Sequence, residues 1–137
     1  MTKRLFAPSL LIAAGLPLAA CTAEADRERE IRAPAVEVVG AAENCIQTSR
    51  IRNTVVHDDY TIDFRLTGGD VYRNTLPARC PSLGFEERFA YEVSTGQLCA
   101  IDTITVLRQG AGRGPTCGLG EFVPVRYADA EGDGGAG

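Results

Sequence analysis

Thiols and one imidazole are the groups in this 137-residue chain best suited to chemistry. The cysteines are Cys21, Cys45, Cys80, Cys99 and Cys117, and the single histidine is His57. A Cys–His or Ser–His nucleophile pair would need His57 as its base. No Gly-x-Ser-x-Gly elbow accompanies any serine. Val56-His57-Asp58-Asp59-Tyr60 reads instead as a strand end entering a turn, where aspartate is common. No catalytic residue is assigned, and the chain leans away from being an enzyme. Asp58, Asp59, Asp63 and Asp70 lack the spacing of a calcium loop. They read as surface acids, with Asp63 pointing away from the core. Structural zinc favours cysteines about two to four residues apart, and no two here are that close. Gly110-Ala111-Gly112-Arg113-Gly114 lacks the Gly-Lys-Ser/Thr ending of a phosphate loop and has no helix after it, so it reads as a mobile loop. No metal and no cofactor is expected.

The position of Cys21 suggests a different chemistry. Lys3 and Arg4 precede an apolar run from Leu5 to Leu16, and Leu18-Ala19-Ala20-Cys21 closes it. That layout is a secretory signal. A spanning helix needs about 20 apolar residues, and this run is shorter and interrupted by Pro8. The closing segment resembles the lipobox of bacterial lipoproteins, in which a branched apolar residue and two small ones precede a cysteine. The resemblance implies lipidation of Cys21 and removal of residues 1–20. Two or three acyl chains, at roughly 0.8 kcal/mol per buried CH2, hold such a protein firmly to a membrane. Thr22 in place of aspartate resembles sorting to the outer membrane, facing the periplasm.

Without Cys21 the cysteines number four, an even set that reads as two disulfides in an exported domain. Four cysteines allow three pairings. Chain layout favours Cys45 with Cys117 and Cys80 with Cys99. Residues 45–127 carry nine arginines and nine acids, whereas Asp129, Glu131 and Asp133 add acid beyond them. The stretch between Cys21 and Cys45 has six acids and three arginines. A neutral domain with acidic flanks argues against a nucleic-acid partner, for which a basic stripe is expected.

The elements that must position these groups are strands. Residues 21–44 read as the lipidated cysteine and a solvated tether, and residues 128–137 as a disordered, acidic, Gly-rich tail. Between them, 45–127 reads as one all-β domain, a small antiparallel barrel or sandwich of about five to six strands stapled by disulfides. Tyr60, Ile62, Phe64 and Leu66 alternate with polar residues, the period of a half-buried strand. Thr67-Gly68-Gly69-Asp70 signals a hairpin. A two-residue Gly68-Gly69 loop would set Phe64 opposite Arg73. A three-residue loop ending at Asp70 would set Phe64 opposite Asn74 and keep the apolar face together, and is preferred. It puts Asn74 inside and Arg65 beside Arg73 on the outer face, where Asp63 or an anionic partner must neutralise them. Further strands are expected around Ile46–Val56, Phe89–Val93 and Leu98–Leu107. A last one runs from Phe122 to Tyr127, with Pro124 marking it as an edge.

One ordered series runs through the domain: Cys45-Ile46, Asp58-Asp59-Tyr60-Thr61-Ile62, Val71-Tyr72-Arg73, Cys80-Pro81, Leu98-Cys99, Cys117 and the Phe122 strand. It resembles an uncharacterised bacterial family of small exported four-cysteine proteins, a domain of unknown function. The resemblance implies export and a compact β fold, and it brings no known activity. The expected role is a non-catalytic envelope lipoprotein acting on an envelope or secreted protein partner, with the membrane held through lipid on Cys21. The alternative is a small-ligand binder or minor enzyme at the mouth of the β domain, using Arg65, Tyr72, Arg73 or Asn74.

Overall fold

The protein is described by a computed structural model over residues 32–110 and 112–128, together with Gly15. The expected signal segment (Gly15 apart), Cys21 and all of the expected tail beyond Ala128 lie outside the described residues. The described residues form an all-β, antiparallel fold with ten strands in three sheets. The strands are β1 (Val36–Val38), β2 (Cys45–Gln47), β3 (Ile51–Val56), β4 (Thr61–Leu66), β5 (Val71–Thr75), β6 (Phe89–Tyr91), β7 (Gln97–Cys99), β8 (Thr103–Arg108), β9 (Gly112–Gly118) and β10 (Phe122–Tyr127). The larger number reflects short pieces. A 3-10 turn at Thr48–Arg50 splits the first expected strand, and a turn at 100–102 splits Leu98–Leu107. One helical turn, α1 (Leu83–Glu86), precedes β6.

The sheets are open and sandwich-like. A five-stranded sheet runs β1-β10-β5-β4-β3, a three-stranded sheet runs β6-β8-β9, and β2 pairs with β7. Alternation in β4 sends Ile62, Phe64 and Leu66 inward, where all three are buried. Phe122 from β10 and Phe89 from β6 meet Phe64 edge-on, with ring centroids 5.4 and 6.2 Å away. Such pairs contribute about 0.5–1.5 kcal/mol beyond the area they bury. Leu98, Ile104 and Val106 complete the interior from β7 and β8.

Both disulfides form, with pairings that differ from the expected ones. Cys45 bonds Cys99 and Cys80 bonds Cys117. The cause is strand pairing. β2 and β7 place Cys45 directly opposite Cys99. β9 sets Cys117 opposite Ile104, beside the core that encloses Cys80. The two closed segments interleave, whereas the expected pairing was nested. Each bridge contributes about 2–4 kcal/mol by restricting the unfolded chain.

Four other expectations change. The described part of the expected tether, residues 32–44, lies on the domain: β1 pairs with β10, and Glu43 exchanges backbone hydrogen bonds with Phe122. Its three valines gave too little periodicity to reveal this. The expected mobile loop is largely strand β9, which pairs with β8 from Gly112 onward, while Gly110 stays in the turn before it. β10 is internal rather than an edge. Pro124 is tolerated there because its carbonyl accepts from Val39 just beyond β1. The missing N–H points the same way, to where β1 has ended. Finally, the hairpin loop is Thr67-Gly68-Gly69, closed by Leu66 N–H donating to the Asp70 carbonyl. Gly68 and Gly69 both take positive φ, +93° and +95°. Phe64 therefore faces Tyr72, Ile62 faces Asn74 and Asp63 faces Arg73. Non-reducing digestion with mass spectrometry is expected to yield Cys45–Cys99 and Cys80–Cys117 peptides, and a Cys45–Cys117 peptide would contradict this strand order.

Candidate functional site

Of the candidate binding residues only Arg73 reaches Asp63, where His57 joins it, while Arg65, Tyr72 and Asn74 each engage a different partner. Asp63 leaves β4 on the face opposite Phe64, where a solvated carboxylate was expected. It is fully buried instead. Arg73, its cross-strand neighbour, donates from Nε to Oδ1 at 2.8 Å and from Nη2 to Oδ2 at 2.9 Å, the two-pronged geometry that favours arginine. Tyr127 Oη donates to Oδ2 at 2.7 Å, and His57 Nε2 lies 2.7 Å from the same oxygen. The remaining Arg73 donor, Nη1, reaches the Pro34 carbonyl at 2.8 Å. The segment before β1 and the end of β10 cover what would have been an open sheet face.

The electrostatics follow from that enclosure. Burial by itself pushes the Asp63 pKa up. The hydrogen bonds from Arg73, Tyr127 and His57, with the charge on Arg73, outweigh it and hold the carboxyl below its ordinary value. An ionised Asp63 only accepts, so His57 must present its Nε2–H to it. Tyr127 is shifted upward, first by burial and then by its bond to Asp63. His57 thus orients a structural carboxylate, and its backbone N–H donates to Thr61 across the expected turn.

The other acids and polar candidates are also engaged. Asp58 and Asp59 are not loose surface acids. Asp58 is buried, and its carboxylate accepts from the backbone N–H groups of Tyr60, Arg32 and Ala33. Asp59 accepts from Gly84 N–H at the start of α1 and from Arg79. Asn74 is fully buried on the inner face, as the sequence required. It donates to the Gly120 carbonyl at 2.7 Å and accepts from Gly120 N–H at 2.9 Å. Gly120 permits this clasp because a Cβ there would collide with the Thr75 carbonyl oxygen. Tyr72 Oη donates to Glu43 at 3.0 Å; burial first, then that carboxylate, raises its pKa. Among the described residues, no buried side-chain nitrogen or oxygen lacks a partner and no group of three His, Cys, Asp or Glu is placed to hold a metal.

Arg65 is placed differently from Arg73. It sits one residue pair further along the outer face, exposed, with its guanidinium 5.9 Å from the centre of the Tyr127 ring. Beside it β3 bulges: Ile51 faces Leu66 and Asn53 faces Arg65, so Arg52 is the extra residue. Arg52, Asn53 and Arg65 line a surface depression of about 420 Å³, with Val71 as its apolar side chain. Asp70 stands on its rim, bonded to Arg50 at 3.0 Å. Sequence reasoning passed over Arg52, whose only available signal was its place in an irregular strand.

Compared with known proteins, the chain matches no family model, no curated protein and no solved structure.

Arg73→Ala is expected to lower stability by about 3–5 kcal/mol, since it strands the buried Asp63 charge, and urea unfolding near neutral pH measures it. The unfolded carboxyl titrates near about 3.9. Because the folded value is lower, the Asp63 contribution is complete above that pH and is lost as pH falls through the folded value. Asp63→Asn should flatten this acid limb of the stability curve; an unchanged limb would show that Asp63 does not carry it. Gly120→Ala is expected to cost about 1–3 kcal/mol through the clash at Thr75, read as a lower melting temperature.

Proposed function

We propose that the chain is a membrane-anchored envelope lipoprotein whose β domain works through protein contacts rather than catalysis. The observation that supports it most is the pair of disulfides in a domain that follows Leu18-Ala19-Ala20-Cys21. With the remaining four cysteines paired, Cys21 is the thiol left for another chemistry, and stable disulfides belong to oxidising compartments.

The polar interior is consistent with a scaffold. The groups that resemble catalytic parts, His57, Asp63 and Arg73, hold one another and the chain segments around them. Asn74 is bound to Gly120. The open sheets do not assemble Arg65, Tyr72, Arg73 and Asn74 around one mouth.

The anchor also gains a length. Arg32 and Ala33 are fastened to Asp58, and ten residues of sequence lie between Cys21 and Arg32. At about 3.5 Å per residue they reach roughly 40 Å at most. The domain would therefore stand close to the bilayer, within reach of membrane-bound or periplasmic partners.

Protein purified from membranes is expected to show acyl mass on Cys21 and no residues 1–20, while Cys21→Ser moves the protein to the soluble fraction with both disulfides intact. An unmodified Cys21 in membrane-extracted protein would remove the anchor. Affinity capture from envelope extract should return one reproducible protein partner, and repeated failure to do so would count against the contact role.

A further inference from the structure

We propose that the depression between Arg52 and Arg65 is a docking subsite for a carboxylate-bearing segment of a protein partner. The inference rests on the contact role above and names the chemistry of the contact. Two arginines, Arg52 and Arg65, line it with one acid, Asp70, and Arg50 lies outside the lining, bonded to that acid. Asp70 is matched by Arg50, so two positive charges remain. Among the described residues Arg52 has no hydrogen bond or ion pair, and Arg65 has the Tyr127 ring but no carboxylate. This concentration of charge stands out on a chain whose formal net charge is −4.

The placement is built into the backbone. A bulge inserts Arg52 beside Asn53, opposite Arg65, and re-aims its side chain into the depression that Arg65 also lines. The stacking of Arg65 over Tyr127 restrains one guanidinium before any partner arrives. Asn53 adds an amide able to donate to an oxygen.

Two features favour a carboxylate over phosphate. The guanidinium fork matches a planar carboxylate, and the half-buried Val71 gives the methylenes of a glutamate or aspartate an apolar contact. The Asp70 charge on the rim opposes a dianion more strongly than a monoanion. Rims of this kind set encounter rate and specificity more than affinity.

The test is a fluorescence-anisotropy titration of the full mature chain with a dye-labelled, end-capped tetraglutamate peptide, at low and moderate salt. Saturable, salt-sensitive binding is expected. Arg52→Ala and Arg65→Ala should each weaken it by roughly fivefold, the size of one exposed charge pair. The double variant should abolish it, and Arg52→Lys should weaken it less than Arg52→Ala. Arg108→Ala, at an exposed arginine on β8, should leave it unchanged. Circular dichroism of each variant confirms folding. Equal weakening by Arg108→Ala, indifference to Arg52 and Arg65, or tighter competition by inorganic phosphate than by acetate would each overturn the proposal. The Cys21→Ser protein should bind the peptide as well as the anchored form. Loss of the subsite is therefore distinguishable from loss of the anchor, which is read by acyl mass.

Discussion

A carboxylate removed from water must be surrounded by donors, and the β domain is organised around meeting that demand for Asp63. Its partners come from four places: the end of β3, β5, the end of β10 and, through Arg73, the segment before β1. The attraction of buried opposite charges is largely offset by their desolvation, so the cluster adds little net stability as a whole. What it supplies is exclusivity. Any arrangement that leaves one member without its partner strands a charge in a low-dielectric interior. The cluster therefore fixes which segments cover the outer face, while Phe64 and its aromatic neighbours supply most of the cohesion on the inner one.

The two faces of β4 thus divide the work of the domain. Near the Asp63 end the outer face is closed by residues 32–34 and Tyr127. Two residues further on it opens, at Arg65, and the bulge in β3 sets Arg52 alongside. The closed cluster holds chain segments together, whereas the open one leaves Arg52 and Arg65 facing solvent. The same strand carries both a buried carboxylate and an exposed arginine within the span Asp63 to Arg65.

Several elements were legible from the residues alone. The alternation in β4, the inward position of Asn74 and the turn after His57 all follow from side-chain period and turn chemistry, which are local. The hairpin register was not legible in the same way. The preferred reading was displaced by two residues, and a shift of two leaves every side chain on its original face. Apolar pattern cannot separate those registers. The consecutive positive-φ glycines do, by closing the loop one residue earlier than Asp70. Over residues 32–44 the tether reading does not hold, because Val36–Val38 carries too few apolar residues to signal a strand and its pairing with β10 is a long-range event.

The sequence by itself determined the β character, the even set of four cysteines once Cys21 is set apart, and the expectation of export, because these rest on composition, short-range period and a terminal motif. Tertiary structure decided the disulfide partners, the burial of Asp58 and Asp63, and the separation of Arg73 from Arg65. Each of those depends on which strand lies beside which. Cys45 meets Cys99 through the pairing of β2 with β7, at a sequence separation of 54. Asp63 becomes a buried hub only when Pro34 and Tyr127, from opposite ends of the described chain, close over it. Local residue types set what each group can do, and the long-range pairings set which groups are enclosed and which still face solvent.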